Sequence, residues 1–501
     1  MTFLLLFSAF VVSTCGLVYE LISGTLASYL LGDSVTQFST VIGVYLFSMG
    51  IGSFLSKYVE KNIIATFIKV ELLIGLVGGF SAAFLFVLFE HVSSFRILLY
   101  SLVSITGMLV GLEIPLLMRI LQDKFEFKDL VSKIFTFDYI GALLASLIFP
   151  LVLVPHLGLI RSSFMFGIFN VLTAIWTLQM FKRDIPWVRL LRSSALVVLL
   201  ILVIGFIYSE KIMNYAEAST FPDPVIYAKS SQYQRLVITK TPHDLRLFLN
   251  GNLQFSSRDE YRYHEALIHL GLQAVHEPRR VLVLGGGDGL AVREILKYDT
   301  VSSVTLVDLD PAMTQLFSKQ DWLVKLNAGA LRSPRVKVIN SDAFIWLKEA
   351  QAAGEQYDFV VVDFPDPSNY SIGKLYSTTF YRLLSKVVAT RGAVVIQSTS
   401  PYVARKSFWC VDATLRSVGF KTTPYHLYVP SFGEWGFVLA SKEAFQMPEH
   451  FLPGLKYMDP KTAKAMLDFP PDMKPVATEV NRLNNQVLVK YFEEEWSEYS
   501  H

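Results

Sequence analysis

The first 208 residues carry seven long apolar runs, at about residues 3–31, 37–55, 64–89, 95–121, 131–154, 159–181 and 190–208. Each is near or above the ~20 residues that carry a helix across a bilayer. Such runs cannot coat a water-soluble domain, so this part is expected to be a multi-pass α-helical membrane domain of about seven spans, residues 1–208. The first run is no cleavable signal peptide, because no basic segment precedes it and further spans come after it. Lys57, Lys61, Arg119, Lys124, Lys128, Lys133, Lys182, Arg183, Arg189 and Arg192 fall in loops on one side, against Arg96, Arg161 and Lys211 on the other. That bias places the N-terminus in the cytoplasm, and seven spans would then put the C-terminal half outside.

The apolar excess, which lifts the hydrophobic fraction of the 501 residues to 52%, ends near residue 208. The rest of the chain reads as soluble. A net charge of +2 shows no basic stripe, so no nucleic-acid partner is expected. Cys15 and Cys410 are the only cysteines, which leaves neither a disulfide framework nor a structural metal site to expect. Five ionisable residues stand inside the apolar runs: Glu20, Lys69, Glu71, Glu113 and Asp138. Charges at bilayer depth either pair for structural reasons or line a ligand path, and the acids would suit a cation.

Pro222 and Pro224 close a polar linker over residues 209–224. Alternating runs then reach Asn250-Gly251, a dipeptide favoured in tight hairpins, which predicts a small β unit at 225–279. From Arg280 strands alternate with helices, RVLVLGGG, SVTLVDLD, RVKVIN, YDFVVVD and GAVVIQS. The alternation predicts a Rossmann-like parallel sheet over residues 280–445, with ligands beyond the carboxyl ends of its strands. Residues 446–501 form a C-terminal tail, in which FEEEWSEYS reads as a solvated helix.

The loop Gly285-Gly286-Gly287-Asp288-Gly289 lets backbone approach a ligand at the start of a helix. Leu290 occupies the place where a pyrophosphate-binding fingerprint needs its last glycine. Asp308, at the end of the second strand, is placed to accept from both hydroxyls of a ribose, or alternatively to begin the next helix. Asp310, directly before Pro311, reads as a helix cap. Asp342-Ala343 after the third strand meets an adenine amino group or caps a helix. The fourth strand stops on two acids, VVVDFPDP, with Asp363 at its end and Asp366 just beyond. Two acids in a cleft orient a cationic amine, and one can take its proton.

The set Tyr233-Gln234, LFLNGNLQ, RDEYRYHE (258–265), VLVLGGGDG, Asp308, Asp342-Ala343, YDFVVVDFPDP, Leu375-Tyr376, Phe380-Tyr381 and WGFVLAS (435–441) resembles the spermidine synthase family of aminopropyltransferases. With the apolar N-terminal half, the chain resembles the bacterial membrane-fused branch of that family. The resemblance implies that Gln234, His264, Asp288, Asp308, Asp342 and Ala343 hold decarboxylated S-adenosylmethionine, a co-substrate rather than a cofactor. It implies that Tyr263 and Asp366 contact the amine and that Asp363 deprotonates it. The reaction implied is aminopropyl transfer, with putrescine as acceptor and spermidine and 5′-methylthioadenosine as products. Asn250, Phe364-Pro365 and the segment 430–434, with Phe432 where a substrate-binding tyrosine is expected, depart from the family pattern on the acceptor side.

Two other classes share parts of this reading. An S-adenosylmethionine-dependent methyltransferase would keep the glycine loop and Asp308 but gives no reason for RDEYRYHE or the paired acids. A polyamine transporter or sensor would bind without turnover. The expected surroundings are a bilayer and small-molecule substrates, with a homo-oligomer allowed. The substrates place the catalytic half in the cytoplasm, against the side that loop charge and seven spans give.

Overall fold

The structure, a computed structural model, describes residues 2–31, 34–89, 92, 94–185 and 187–499. It divides into two compact units, Met1–Pro224 and Val225–His501.

The first unit is helical: α1 (Thr2–Leu31), α2 (Ser34–Leu55), α3 (Ile63–Leu88), α4 (Phe95–Leu121), α5 (Phe127–Ile148), α6 (Gly158–Met180) and α7 (Val188–Thr220). Six stretches among the described residues are long and apolar enough to cross a membrane, one fewer than expected. The difference lies in residues 127–180, which run as one helical stretch of 54 residues because a π-helix, Phe149–Leu157, joins α5 to α6 without a polar break. That stretch is nevertheless not straight. Gly141 of α5 packs on Phe10 and Thr14 of α1, and Trp176 of α6 donates to Ser8 Oγ of the same helix at 2.9 Å. In one straight helix residues 141 and 176 would stand about 50 Å apart. The stretch therefore folds back on itself, around a segment that holds Pro155 and ends at Gly158 with φ of 72°. Each of its two legs runs beside α1.

A second correction concerns the linker. Residues 209–220 are not irregular but the end of α7, since Glu210, Lys211, Met213 and Ala216 are good helix formers and no breaker stands before Pro222.

The second unit opens with a four-stranded antiparallel sheet, β1 (Val225–Ser230), β2 (Arg235–Lys240), β3 (Leu245–Leu249) and β4 (Asn252–Ser256). Asn250 and Gly251, both at positive φ, make the turn between the last two strands. Then come α8 (Glu260–Ala274), β5 (Arg280–Gly285), α9 (Leu290–Ile295), β6 (Ser303–Asp308), α10 (Pro311–Lys319), α11 (Asp321–Leu326), β7 (Val336–Asn340) and α12 (Ala343–Ala352). The chain continues through β8 (Tyr357–Asp363), α13 (Tyr370–Gly373), α14 (Thr378–Val387), β9 (Val388–Gln397), α15 (Arg405–Ser417), β10 (Lys421–Val429) and β11 (Gly433–Ser441).

The seven strands stand in the order β10-β11-β9-β8-β5-β6-β7, with β5 to β9 parallel and β11 antiparallel to its neighbours. The central strands are buried on both faces, which is why β5 and β8 read as continuous apolar runs. Strand order reverses at β5, so the crevice beyond β5 and β8 is the switch point where ligands bind in such sheets.

The tail is not a loose appendage. It forms α16 (Pro460–Ala465) and α17 (Val487–Tyr499), and α17 buries Val487, Leu488 and Val489. Glu495 of α17 accepts from Ser407 Oγ of α15 at 2.8 Å, so the FEEEWSEYS helix is only half solvated.

Candidate active site

Asp363 and Gly285 are register partners at the ends of β8 and β5, on the two sides of the switch point. A Cβ on Gly285 would overlap the Asp363 carbonyl oxygen, and one on Gly287 would stand 2.6 Å from the Asp308 carboxylate. Glycine is thus required on steric grounds wherever this loop passes the two acids.

Three acids face the crevice. Asp363 Oδ1 accepts from Tyr263 Oη at 2.6 Å, while its Oδ2 lies toward Gly286. Burial raises the Asp363 carboxyl, with His264 and the Tyr263 hydroxyl pulling the other way. Asp366 accepts from Gln397 Nε2 at 3.1 Å and from Thr399 Oγ1 at 3.3 Å, and burial pushes it up to about 6. Asp288 accepts from the Leu290 amide at 2.9 Å; burial also pushes it up to about 6, and the positive charge of His264 opposes the shift. Buried acids that share a cleft and resist ionisation attract a cation, which restores the charge balance that burial disfavours.

Tyr263 and His264 come from α8, which buries its inner face against the sheet. His264 Nδ1 lies 2.8 Å from Glu260 Oε2, and both Nη atoms of Arg293 donate to Glu260 at 2.9 Å. Burial works against the charged ring, but Glu260 outweighs it and raises His264. Against its own burial, Glu260 is held down to about 2 by His264 and Arg293. The ring is fixed in position.

The remaining predicted residues lie on the same side of the sheet but are engaged differently from expectation. Asp308 accepts from the Gly287 and Asp310 amides at 3.0 and 2.8 Å, so both oxygens hold the loops together, and burial pushes it up to about 6. Gln234 Nε2 donates to Asp310 Oδ2 at 3.0 Å, joining the small sheet to α10, which Asp310 caps through the Ala312 amide. Asp342 caps α12 through the Phe344 amide and pairs with Lys374 Nζ at 2.9 Å. Those contacts outweigh burial and lower its pKa. Ala343, the first residue of α12, is buried beside it.

Several site residues lie outside that set. Gln397 ends β9 and donates to the Phe364 carbonyl at 2.7 Å, and Trp435 Nε1 donates to Gln397 Oε1 at 3.2 Å. Tyr376 Oη donates to the Pro365 carbonyl at 3.1 Å. Together these contacts hold the turn that presents Asp366. Phe432 packs on Tyr263 and Trp435, and its neighbour Ser431 donates to Asp259 through the amide at 2.7 Å and the hydroxyl at 2.9 Å. The only signals for Gln397 were its polarity at the end of an apolar strand and its place at the carboxyl edge.

The profile of the spermine/spermidine synthase domain matches residues 260–449. The chain is 53% identical over 490 residues to a polyamine aminopropyltransferase of Leptospira interrogans, covering 98% of each chain. It is 56% identical over 502 residues to polyamine aminopropyltransferase 2 of Ralstonia nicotianae, again covering 98% of each. Among solved structures, a spermidine synthase in complex with the transition-state analogue AdoDATO is 24% identical, over 49% of this chain and 85% of that one, with a TM-score of 0.45. The two aminopropyltransferases span the apolar half as well as the sheet, and their activity leaves the methyltransferase alternative without support. The chain belongs to the polyamine aminopropyltransferase (spermidine synthase) family and is an aminopropyltransferase.

Proposed function

We propose that the protein transfers the aminopropyl group of decarboxylated S-adenosylmethionine to putrescine, giving spermidine and 5′-methylthioadenosine. The observation that carries this reading is the Tyr263–Asp363 hydrogen bond at the switch point, with Asp366 and Asp288 flanking the same crevice. Asp363 takes the proton of the attacking ammonium. The freed lone pair forms the new C–N bond at the carbon beside the sulfonium, the C–S bond breaks, and its electron pair leaves a neutral thioether. An amine that is almost wholly protonated at neutral pH needs such a base.

Asp366 and Tyr263 orient the acceptor amine. Asp288 and His264 hold the aminopropyl end of the donor, Asp308 its ribose, and Gln234, Asp342 and Ala343 the surroundings of the adenosine. Asp342 reaches an adenine amino group once Lys374 swings aside. Ordinary S-adenosylmethionine would bring a carboxylate among three acids and be repelled, which gives the choice of donor.

The helical half is membrane-embedded in this reading. Phe47, Ile97, Leu151, Leu200 and Ile207 are among its large apolar side chains that are more than half exposed, a surface suited to lipid. The substrates place the catalytic half in the cytoplasm.

The test is methylthioadenosine release by the detergent-purified chain, offered each donor with putrescine, cadaverine, agmatine or spermidine. Release is expected with the decarboxylated donor and to be fastest with putrescine. Asp363→Asn is expected to bind both substrates and release at least 100-fold less, on the order of a lost general base. Equal release by that variant removes Asp363 from its role.

A further inference from the structure

Outside the crevice, four helices of the first unit bring polar side chains to one buried point. Asn170 of α6 is fully buried. Its Nδ2 donates to Glu71 Oε2 of α3 at 2.9 Å and to Glu113 Oε1 of α4 at 3.4 Å, and its Oδ1 accepts from Tyr19 Oη of α1 at 2.9 Å. Glu71 is 0% exposed and Glu113 1%. The other oxygen of each, Glu71 Oε1 and Glu113 Oε2, is buried and accepts from no donor among the described residues. The ion pairs described in this unit, Lys128–Glu126 and Arg161–Glu210, lie elsewhere, and Lys69 is exposed.

Asn170 Nδ2 donates to one oxygen of each carboxyl group, so the two groups converge on a single amide nitrogen. Ionised carboxylates only accept, so neither can satisfy the other's unpartnered oxygen unless one of them carries a proton. Two bare carboxylates in apolar surroundings without a counter-cation are moreover strongly disfavoured. We propose that Glu71 and Glu113 form a proton-binding site, in which one exchangeable proton is shared by two carboxyl groups that Asn170 and Tyr19 hold in place. A membrane anchor requires no such site. A proton held between side chains from α1, α3, α4 and α6 gives the helical half a state that depends on proton supply.

The groups that face the pair are few. From α1 they are Cys15, whose thiol is on the Phe166 carbonyl, and Tyr19; α1 also carries the buried Glu20. From α2 comes Tyr45, committed to the Gly16 carbonyl at 2.8 Å, and α5 carries Asp138. α7 presents Leu202 to α3 and α6.

The test is infrared difference spectroscopy of the full-length protein in lipid nanodiscs, titrated across pH in H2O and D2O. Beyond the bands of Asp288, Asp308 and Asp366, a further protonated-carboxyl carbonyl band is expected that shifts in D2O and is lost as pH rises. It should vanish in the Glu71→Gln/Glu113→Gln double variant and survive in Glu20→Gln and Asp138→Asn. Unchanged helical circular dichroism and a single elution peak in detergent show that the helical half of each variant is folded. The same set of pH-sensitive carbonyl bands in the unaltered protein and in the double variant overturns the proposal.

Discussion

Asp288 carries a stability cost that its position explains. Its folded pKa of about 6 lies above the ordinary carboxyl value, so the folded state holds its proton more tightly than the unfolded state does. Below about pH 4 the acid is protonated in both states and costs nothing. Between about pH 4 and 6 the unfolded chain ionises the acid while the folded state keeps its proton, so the penalty grows, and above about 6 it is constant, on the order of 3 kcal/mol at 1.36 kcal/mol per unit. Asp288→Asn should therefore raise the unfolding midpoint of the full chain at pH 7 to 8 and leave it unchanged near pH 4, while methylthioadenosine release falls. A destabilised variant at pH 8 would mean that the pairing with His264 outweighs burial. Of the site residues, Asp363 and Asp366 were legible because an apolar strand that ends on acids at the carboxyl edge has no packing explanation. Gln397 and Thr399 were not, since a single amide after GAVVI has no pattern of its own. The occupation of Asp342 by Lys374 joins positions 32 apart and leaves no local trace.

Among elements, the strands and helices of the sheet followed from period and turn chemistry, whereas the segment between β10 and β11 is set by a contact that sequence does not announce. Asp259 lies directly before α8, and it accepts two hydrogen bonds from Ser431, 172 positions later. That latch fixes Phe432 on Tyr263, whose hydroxyl in turn meets Asp363. Ser431→Ala deletes the hydroxyl bond and keeps the amide bond. The expected result is a rise in the KM for the acceptor amine of roughly 5-fold, the worth of about 1 kcal/mol, with kcat little changed. A fall in kcat at constant KM would place the latch in the chemical step instead. The end of α7 was misread for a related reason: a change from apolar to polar residues marks where a helix leaves apolar surroundings, not where its backbone stops, and nothing breaks the helix before Pro222.

For the molecule as a whole, the number of membrane crossings decides which faces of the helical half share a compartment. Counted by helical stretches, 127–180 is one crossing, and Arg183 would then lie across the membrane from Glu60. Counted by packing, both of its legs lie beside α1, so in a membrane it would cross twice, and Arg183 would return to the face of Glu60 and Lys128 while Ser94 and His156 occupied the other. The basic loops at 57–61, 119–133 and 182–192 then gather on one face, a coherence that single crossing destroys. Both native cysteines are buried, which leaves a quiet background for labelling. Single cysteines at Glu60, Ser94 and Arg183 should react with a membrane-impermeant maleimide in two groups, Glu60 with Arg183 and Ser94 apart. Arg183 grouping with Ser94 would establish a single crossing. In either case the face that reacts in intact cells gives the orientation directly. With two crossings, if Glu60 reacts there and Ser94 is protected, α7 ends on the inner face, where the donor is made, and the charge bias of the loops has been overridden. With the same two crossings, if Ser94 reacts, the bias holds, and the donor has to reach the enzyme from outside.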